Sequence, residues 1–399
     1  MKPAVTIIGG GMITHDQLLP SLWQLQRLGI IADITVCSLL ESALAALRDS
    51  ETLRRAFPDR SFIATTRPYA ELLAQTRPRG IVVVAVPDQV HFDAVMRSLE
   101  AEQHVCCVKP LVLTVRESRV IEEESFRRGL FVGIEYHKRF DDRSLMARRR
   151  YRDGMFGHFR LGSATMMEKW YYRESNFQNW MTVENSDAFT YVGCHYVDLV
   201  HFITGLLPAA ISVYGVRDRY PNGNEGFLWT DARVLWNNGA CLNVQNTLSF
   251  PDEAPGSNTQ GLTMYCSDGK RGGLLRHDDQ YRGLQYSYVE PPTGPGATAY
   301  AEPSPDYFQY VGLGGEGLTP VGYGYRSVEA IVRACLRVEA SGDLRARQAV
   351  MKQIDDEGVL ATPSNSRYNE FVTEAARMSI LNGAREVVID YERAAVSFG

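Results

Sequence analysis

The chain has 399 residues, 45% of them hydrophobic and 22% charged, with a formal net charge of −5. That make-up is typical of a globular protein long enough for two domains, and it offers no basic footprint for nucleic acid. No apolar run is long enough to span a bilayer, and strand-forming residues begin at once after the N-terminus, so neither a membrane segment nor a signal peptide is expected. Seven cysteines, mostly inside apolar runs, fit reduced thiols in a cytoplasmic protein.

Residues 4–8 form a β-branched apolar run ending in Gly9-Gly10-Gly11-Met12-Ile13-Thr14. Leu18, Leu22, Leu25 and Leu28 follow at helical spacing. Strand, glycine turn and helix is the setting in which a Gly-x-Gly-x-x-Gly pattern binds a dinucleotide. Gly9 would make the tight turn and Gly11 would let a pyrophosphate approach the backbone. The helix start at Met12 and Ile13 would aim N–H groups at it. Thr14 stands where the third glycine would be. A second strand, 34–37, ends in Cys37-Ser38, where dinucleotide folds usually place an acidic residue for the adenosine ribose. Ser38 suits a ribose hydroxyl or a 2′-phosphate, and no arginine adjoins it in sequence. NAD is the expected cofactor, with NADP left open.

A helix over 41–48 follows, then a continuous apolar run at 80–87 of the kind buried on both faces in a parallel sheet. Helix 89–102, strand 105–108, helix 115–128 and strand 130–134 complete the alternation. It predicts a doubly wound α/β Rossmann domain over residues 1–135. In His104-Val105-Cys106-Cys107-Val108-Lys109-Pro110-Leu111 a buried strand ends on a lysine, and Pro110 forbids its continuation. Lys109 is read as an ammonium held in a cleft, the plainer alternative being a lysine surfacing at a strand end. Cys106 and Cys107 should point to opposite faces, which makes neither a metal pair nor a disulfide.

Residues 136–399 read differently. A helix over 143–152 ends at Gly154, and long strands follow at 159–166, 209–216, 230–236 and 240–248. This predicts an α+β domain with a large, mainly antiparallel open sheet. A helix after Asn185 carries Tyr191, His195 and Asp198 at spacings of four and three, so all three should share a face. A neutral imidazole at His195 is a natural acceptor for a hydroxyl proton as hydride leaves the adjacent carbon, and an ammonium at Lys109 would stabilise the alkoxide. Tyr191 would assist, and the plainer reading makes His195 a core histidine bonded to Asp198. A zinc site from Cys194, His195, Asp198 and His201 would lack a second cysteine pair, and no metal is expected. The aromatic and amide-rich stretch Trp170 to Trp180 suits a polyol, with Trp170 and Asn179 as contacts, unless it packs against another subunit. His137, just after the last Rossmann strand, should face the same cleft. Residues 268–323, rich in Gly, Pro and Tyr, are expected to form a structureless lid or subunit contact.

In this order the stretches resemble the Gfo/Idh/MocA family of nicotinamide-dependent oxidoreductases. Val86-Pro87-Asp88-Gln89-Val90-His91 is similar to the family's Pro-x-x-x-His element beside the nicotinamide ribose. Cys107-Val108-Lys109-Pro110-Leu111 resembles its Glu-Lys-Pro element, with Val108 in place of the glutamate. Gly193-Cys194-His195-Tyr196-Val197-Asp198-Leu199 resembles its Gly-x-His-x-x-Asp helix, and the stretch from Glu374 to Ile389 its closing helix and strand. The family's aspartate four residues before the histidine is Tyr191 here, with Asp187 four residues earlier.

The resemblance implies Pro87, His91 and Lys109 at the cofactor, His195, Asp198 and Tyr191 at the substrate, and a homo-oligomer through the open sheet. The expected activity is NAD(P)-dependent oxidation of a secondary hydroxyl of a sugar, glycoside or cyclic polyol to a ketone. Two rivals are a redox-neutral NAD-dependent glycosidase and, given Ser38, Val108 and Tyr191, a non-catalytic ligand-binding homologue.

Overall fold

The computed structural model describes residues 2–253, 258–270, 272–278 and 307–399. Six short strands, Val5–Ile8 (β1), Ile34–Cys37 (β2), Ile63–Thr65 (β3), Ile81–Val84 (β4), His104–Val108 (β5) and Val132–Glu135 (β6), form one sheet in the order β3-β2-β1-β4-β5-β6. Every neighbouring pair is parallel. The strand order reverses between β1 and β4, and at such a switch point a crevice opens beyond the carboxyl ends of the strands. The glycine turn after β1 and the Val86-Pro87 loop after β4 flank it.

Helices cover both faces, which is why β4 is apolar and buried throughout. Cys106 packs on one side of the sheet and Cys107 on the other. The helix Val115–Arg128 starts at Thr114, whose hydroxyl oxygen accepts from the Glu117 N–H at 3.3 Å, and stops at Gly129 in the left-handed region. The chain returns late to this domain. Val328, Ile331, Val332 and Cys335 of the helix Tyr323–Ala340, with Met351 and Ile354 of Leu344–Glu357, share a core with Val5, Ile7, Leu18 and Leu22. Residue 135 is therefore where the chain leaves the first sheet, while its core draws on residues beyond 320.

The second sheet contains His158–Lys169 (β7), Pro208–Arg219 (β8), Glu225–Trp236 (β9), Cys241–Phe250 (β10), Asn258–Ser267 (β11) and Gly272–Asp278 (β12). A small ladder pairs Gln309–Val311 (β13) with Thr319–Val321 (β14), and Val387–Asp390 (β15) and Ala395–Phe398 (β16) close the large sheet. Its order is β12-β11-β7-β10-β9-β8-β15-β16, and only the β7–β10 pair is parallel. The helices Cys194–Thr204 and Tyr368–Leu381 lie on one face, packing Val197, Val200, Phe371 and Val372 onto Ile211, Val213, Val234 and Leu242. On the other face Leu161, Tyr214, Val216, Trp229, Tyr265 and Leu274 are exposed.

Within the stretch 268–323, residues 271 and 279–306 lie outside the described residues. The described parts correct the expectation of a structureless segment. Residues 272–278 add strand β12 to the sheet edge, and 309–321 contain the β13–β14 ladder. Among the described residues no helix is long and apolar enough to cross a membrane.

Candidate active site

The glycine turn is shaped for close approach. Gly9 has φ +112°, and a Cβ there would lie 2.0 Å from the Ala85 carbonyl oxygen. Gly11 faces open space. Thr14 is fully buried, and its hydroxyl donates to the Gly9 carbonyl at 2.8 Å, so it ties turn to helix at the position of the third glycine. The helix begins with a π-type turn, Thr14–Leu18, before its α-helical part. Met12 packs against the cluster that contains Phe177 and Trp180, joining the turn to the second domain.

Ser38 borders the turn, with its hydroxyl oxygen accepting from the Leu40 N–H at 3.3 Å. The fold brings one arginine alongside. The Cys37 thiol donates to the Arg67 carbonyl at 3.1 Å, and Arg67 is exposed with its guanidinium on Gln75. Sequence adjacency around Ser38 could not show this.

Lys109 leaves β5 half-buried and reaches across the cleft. Its ammonium lies 3.8 Å from the centre of the Tyr191 ring and donates to the Tyr191 carbonyl. The lysine thus bridges the Rossmann sheet to the helical turn just ahead of His195. Below it lies His91, expected at the cofactor. Its ring is fully buried. Its Nδ1 is 2.8 Å from the Pro110 carbonyl oxygen and its Nε2 2.8 Å from that of Val86. Carbonyls only accept, so both contacts are hydrogen bonds only when the ring is the doubly protonated imidazolium. Burial opposes that charge, but Cys107, the Asp88 carboxylate and the Pro110 carbonyl outweigh it and push His91 up to about 10. His91 is a clip between the two loops that carry Pro87 and Lys109.

A pH dependence follows from the clip. An unfolded imidazole releases its proton near ~6.5, so the stability contributed by His91 is complete below that pH and is lost as pH rises towards about 10. The melting temperature of the wild type should fall more steeply over that interval than that of a His91→Gln variant. Parallel slopes would show that the ring is neutral in the folded state.

Asp88, between Pro87 and His91 in the chain, went unnoticed in the sequence. It is buried, and the Ser186 hydroxyl donates to it at 3.2 Å from the second domain. Burial raises its carboxyl, while His91 and Lys109 favour the ionised form. A charged residue in the loop after a strand looks solvent-facing in sequence, and only the fold shows it closed in. Asp187, fully buried, accepts from Arg377 at 2.8 Å and from the Thr190 N–H at 2.8 Å.

His195 opens the helix Cys194–Thr204, behind a π-type turn, Phe189–Gly193, that carries Tyr191. Gly193 lets this segment lie against β10, since a Cβ there would come within 2.5 Å of Asn246 Oδ1. Burial, with Asp88 and Glu168 adding to it, raises the Tyr191 phenol well above its ordinary value, so it stays protonated and acts as a donor. Asp198 is buried. Its carboxylate accepts from Arg139 at 2.6 and 2.8 Å, from the Tyr368 hydroxyl at 2.8 Å and from Asn369 at 2.9 Å, all buried. The helical spacing is as expected, but a buried guanidinium has claimed the carboxylate placed with the substrate.

His137 does lie beside His195, with ring centroids 4.7 Å apart. Its Nδ1 is 3.0 Å from Glu135 Oε2, and the rings of Tyr307 and Tyr323 stand 4.9 and 5.6 Å away. Trp170 is partly exposed and stacks under the Arg173 guanidinium at 3.9 Å, while Asn179 is held by Asn176 and Asn222. Tyr172, Phe177 and Tyr191 link this aromatic stretch to Lys109. All seven cysteines are free, and no cluster among the described residues could hold a metal ion.

A doubly wound sheet with a glycine turn at its switch point, facing a mostly antiparallel sheet that carries a histidine helix, defines a dinucleotide-binding oxidoreductase scaffold. The model of the GFO_IDH_MocA family, described as an oxidoreductase family with an NAD-binding Rossmann fold, matches residues 4–136, and the N-terminal domain belongs to that family. D-glucoside 3-dehydrogenase of Escherichia coli is 26% identical over 151 residues, which cover 37% of this chain and only 41% of that protein. Levoglucosan dehydrogenase of Pseudarthrobacter phenanthrenivorans is 20% identical over 285 residues, 63% of this chain and 68% of that protein. The crystal structure of GenD2 from gentamicin A biosynthesis, in complex with NAD, superposes with a TM-score of 0.67 at 16% identity. It covers 98% of this chain and 97% of that one, which extends the shared fold over both domains.

Proposed function

We propose that the chain is an NAD(P)-dependent dehydrogenase that oxidises a secondary hydroxyl of a sugar, glycoside or cyclic polyol to the ketone. The observation that carries this reading is the reach of Lys109 from β5 to Tyr191, one helical turn ahead of His195. The open space at Gly11, beside a turn that Gly9 alone can make against the Ala85 carbonyl, suits a dinucleotide bordered by Met12, Ile13, Ser38 and Pro87. When bound, the nicotinamide supplies the acceptor for the hydride leaving the substrate carbon. His195 takes the hydroxyl proton, Lys109 stabilises the charge growing on that oxygen, and the protonated Tyr191 phenol orients it. Trp170 and Asn179 form the outer wall for the ring. The names of the two dehydrogenase relatives, which act on a glucoside and an anhydrosugar, support the substrate class.

The test is titration with NAD+ and NADP+, then incubation with methyl β-D-glucoside, levoglucosan or myo-inositol, following reduced cofactor and product. Ketone and reduced cofactor in equal amounts are expected, with loss of both in His195→Ala. Failure to bind either nucleotide would sink the reading. Cleaved glycoside with no net reduction would replace it with redox-neutral elimination.

The exposed apolar face of the large sheet is the proposed contact between copies of the chain, since a patch of that extent rarely stays open to water. The double variant Tyr214→Arg with Tyr265→Arg should sediment as a monomer, and a mass equal to that of the wild type would rule this face out. Free cysteines throughout fit a reducing, cytoplasmic setting.

A further inference from the structure

We propose that a cavity at the edge of the Rossmann sheet, sharing no residue with the candidate active site, is a binding site for a small organic ammonium ion with an apolar body. The cavity has a volume of about 260 Å³, towards the lower end for small-molecule pockets. It lies between the helices Val115–Arg128 and Leu344–Glu357, where β6 begins, and Thr362, Pro363 and Ser364 complete its wall. The helices meet where the Gln348 side chain donates to the Phe126 carbonyl at 2.9 Å. Met351 and Asp355 line the space one and two turns further along.

The lining has two characters. Phe131 and Val132 are 1% exposed and Met351 is buried, and with the ring of Phe126 they make an apolar floor. Much of the polar lining is made of acceptors. Asp355 Oδ1 accepts from the Thr362 hydroxyl at 2.5 Å, and the Ser364 hydroxyl also bonds this carboxylate. The Ser125 hydroxyl donates to the Glu122 carbonyl at 3.0 Å, and the Glu122 carboxylate pairs with Arg367. All three hydroxyls thus spend their single proton within the wall, and what they can still offer is lone pairs. A guest must bring the donors.

Charge and ring point the same way. Burial, with Glu122 and Asp356 adding to it, holds the Asp355 carboxyl above its ordinary value against the pull of Thr362 and Ser364. A cation beside Asp355 relieves that opposition. The Phe126 ring already carries one ammonium, since Lys352 Nζ lies 5.4 Å from its centre. Lys352 is exposed and can swing into water, leaving the ring face to a guest. An anion would meet two carboxylates, and a neutral polyol would set its own oxygens against acceptors. The wall is also tied to the sheet. Ala361, the residue before Thr362, accepts from the Ile134 N–H at 2.9 Å, so a guest that steadies this loop also steadies β6.

Isothermal titration of the full-length protein with 2-phenylethylammonium, beside 2-phenylethanol and phenylacetate, tests the assignment. The three probes share a ring and differ in the head group. The ammonium should bind with a Kd on the order of 0.1–1 mM, and the alcohol and the carboxylate at least about tenfold more weakly. With the ammonium present, backbone hydrogen exchange should slow in residues 119–134 and 349–366, which contain the lining. Asp355→Asn, which keeps a partner for Thr362, should weaken binding roughly tenfold. Lys352→Gln should strengthen it about threefold, because a competing ammonium is gone.

Equal affinities for the three probes, or no heat from the ammonium up to about 20 mM, would overturn the assignment. So would protection confined to the stretches around Lys109 and His195, which would put the probe in the catalytic cleft. Should Asp355→Asn fail to fold, Lys352→Gln decides alone. Unchanged or weaker binding in that variant removes the competition for the Phe126 ring, and the site with it.

Discussion

Lys109→Gln should lower kcat on a glycoside substrate by roughly 10²- to 10³-fold, with NAD affinity within about threefold of wild type. The loss is expected in kcat because the ammonium meets the substrate oxygen most strongly once that oxygen carries negative charge. An interaction of that kind lowers the barrier without tightening the ground state. The lysine is also a bridge, with its ammonium over the Tyr191 ring and on the Tyr191 carbonyl. Removing it should cost stability no more than about 1 kcal/mol, the worth of a half-exposed cation–π contact. Lys109→Arg should not restore turnover, because a planar guanidinium cannot present a point charge in the same space. Steady-state kinetics beside thermal melts separate these effects. Turnover near the wild-type level in Lys109→Gln would reduce the residue to an interdomain tether.

The Rossmann half was legible in the sequence because its strands are continuous apolar runs between amphipathic helices, a pattern set by burial on both faces. Strand β3 escaped notice, since Ile63–Thr65 lies at the sheet edge and is only partly buried. The four long strands of the second domain were readable from apolar runs, but β11 and β12 were not. Thr259-Gln260-Gly261 and Gly272-Gly273 interrupt the signal that the sheet ladder then overrides. The return of residues 323–357 to the first core could not be read at all, because an amphipathic helix does not declare which core it will cover.

The site divides in the same way. Gly9, Lys109 and His195 sit in local patterns with a mechanical meaning. Glu135 ends a strand and Asp88 opens a short turn beyond one, and their partners lie far off in sequence, at Gln17 and Ser327 for one and Ser186 for the other. For His91 and Asp198 the pattern carries no record of the carbonyls and the guanidinium that hold them. Near Val108 and Tyr191 the fold places two carboxylates, Glu135 opposite Val108 in the sheet and Asp88 close enough to act on the Tyr191 phenol, which proximity in sequence does not reveal.

Asp198→Ala should destabilise the protein by about 3–5 kcal/mol, the largest stability loss expected from any single change in the site. Arg139 and Asp198 are 2% and 1% exposed, with N–O distances of 2.6 and 2.8 Å, and Tyr368 and Asn369 complete the carboxylate's shell. Removing the carboxylate strands a guanidinium that has no route to water. The cost is therefore mostly that of an uncompensated buried charge, with the lost attraction a smaller part. A double replacement, Arg139→Met with Asp198→Leu, removes both charges and should recover most of the stability. Equilibrium urea unfolding of the three proteins measures this, and a single variant within about 1 kcal/mol of wild type would mean that water reaches the pair.

The same pair ties the helix Cys194–Thr204 to the turn His137–Phe140, because Asp198 belongs to the first and Arg139 to the second. That tie holds the helix that carries His195 against the turn that carries His137. The double variant should therefore be stable yet slow, its lost turnover reporting the placement of the His195 helix and not the folding of the chain.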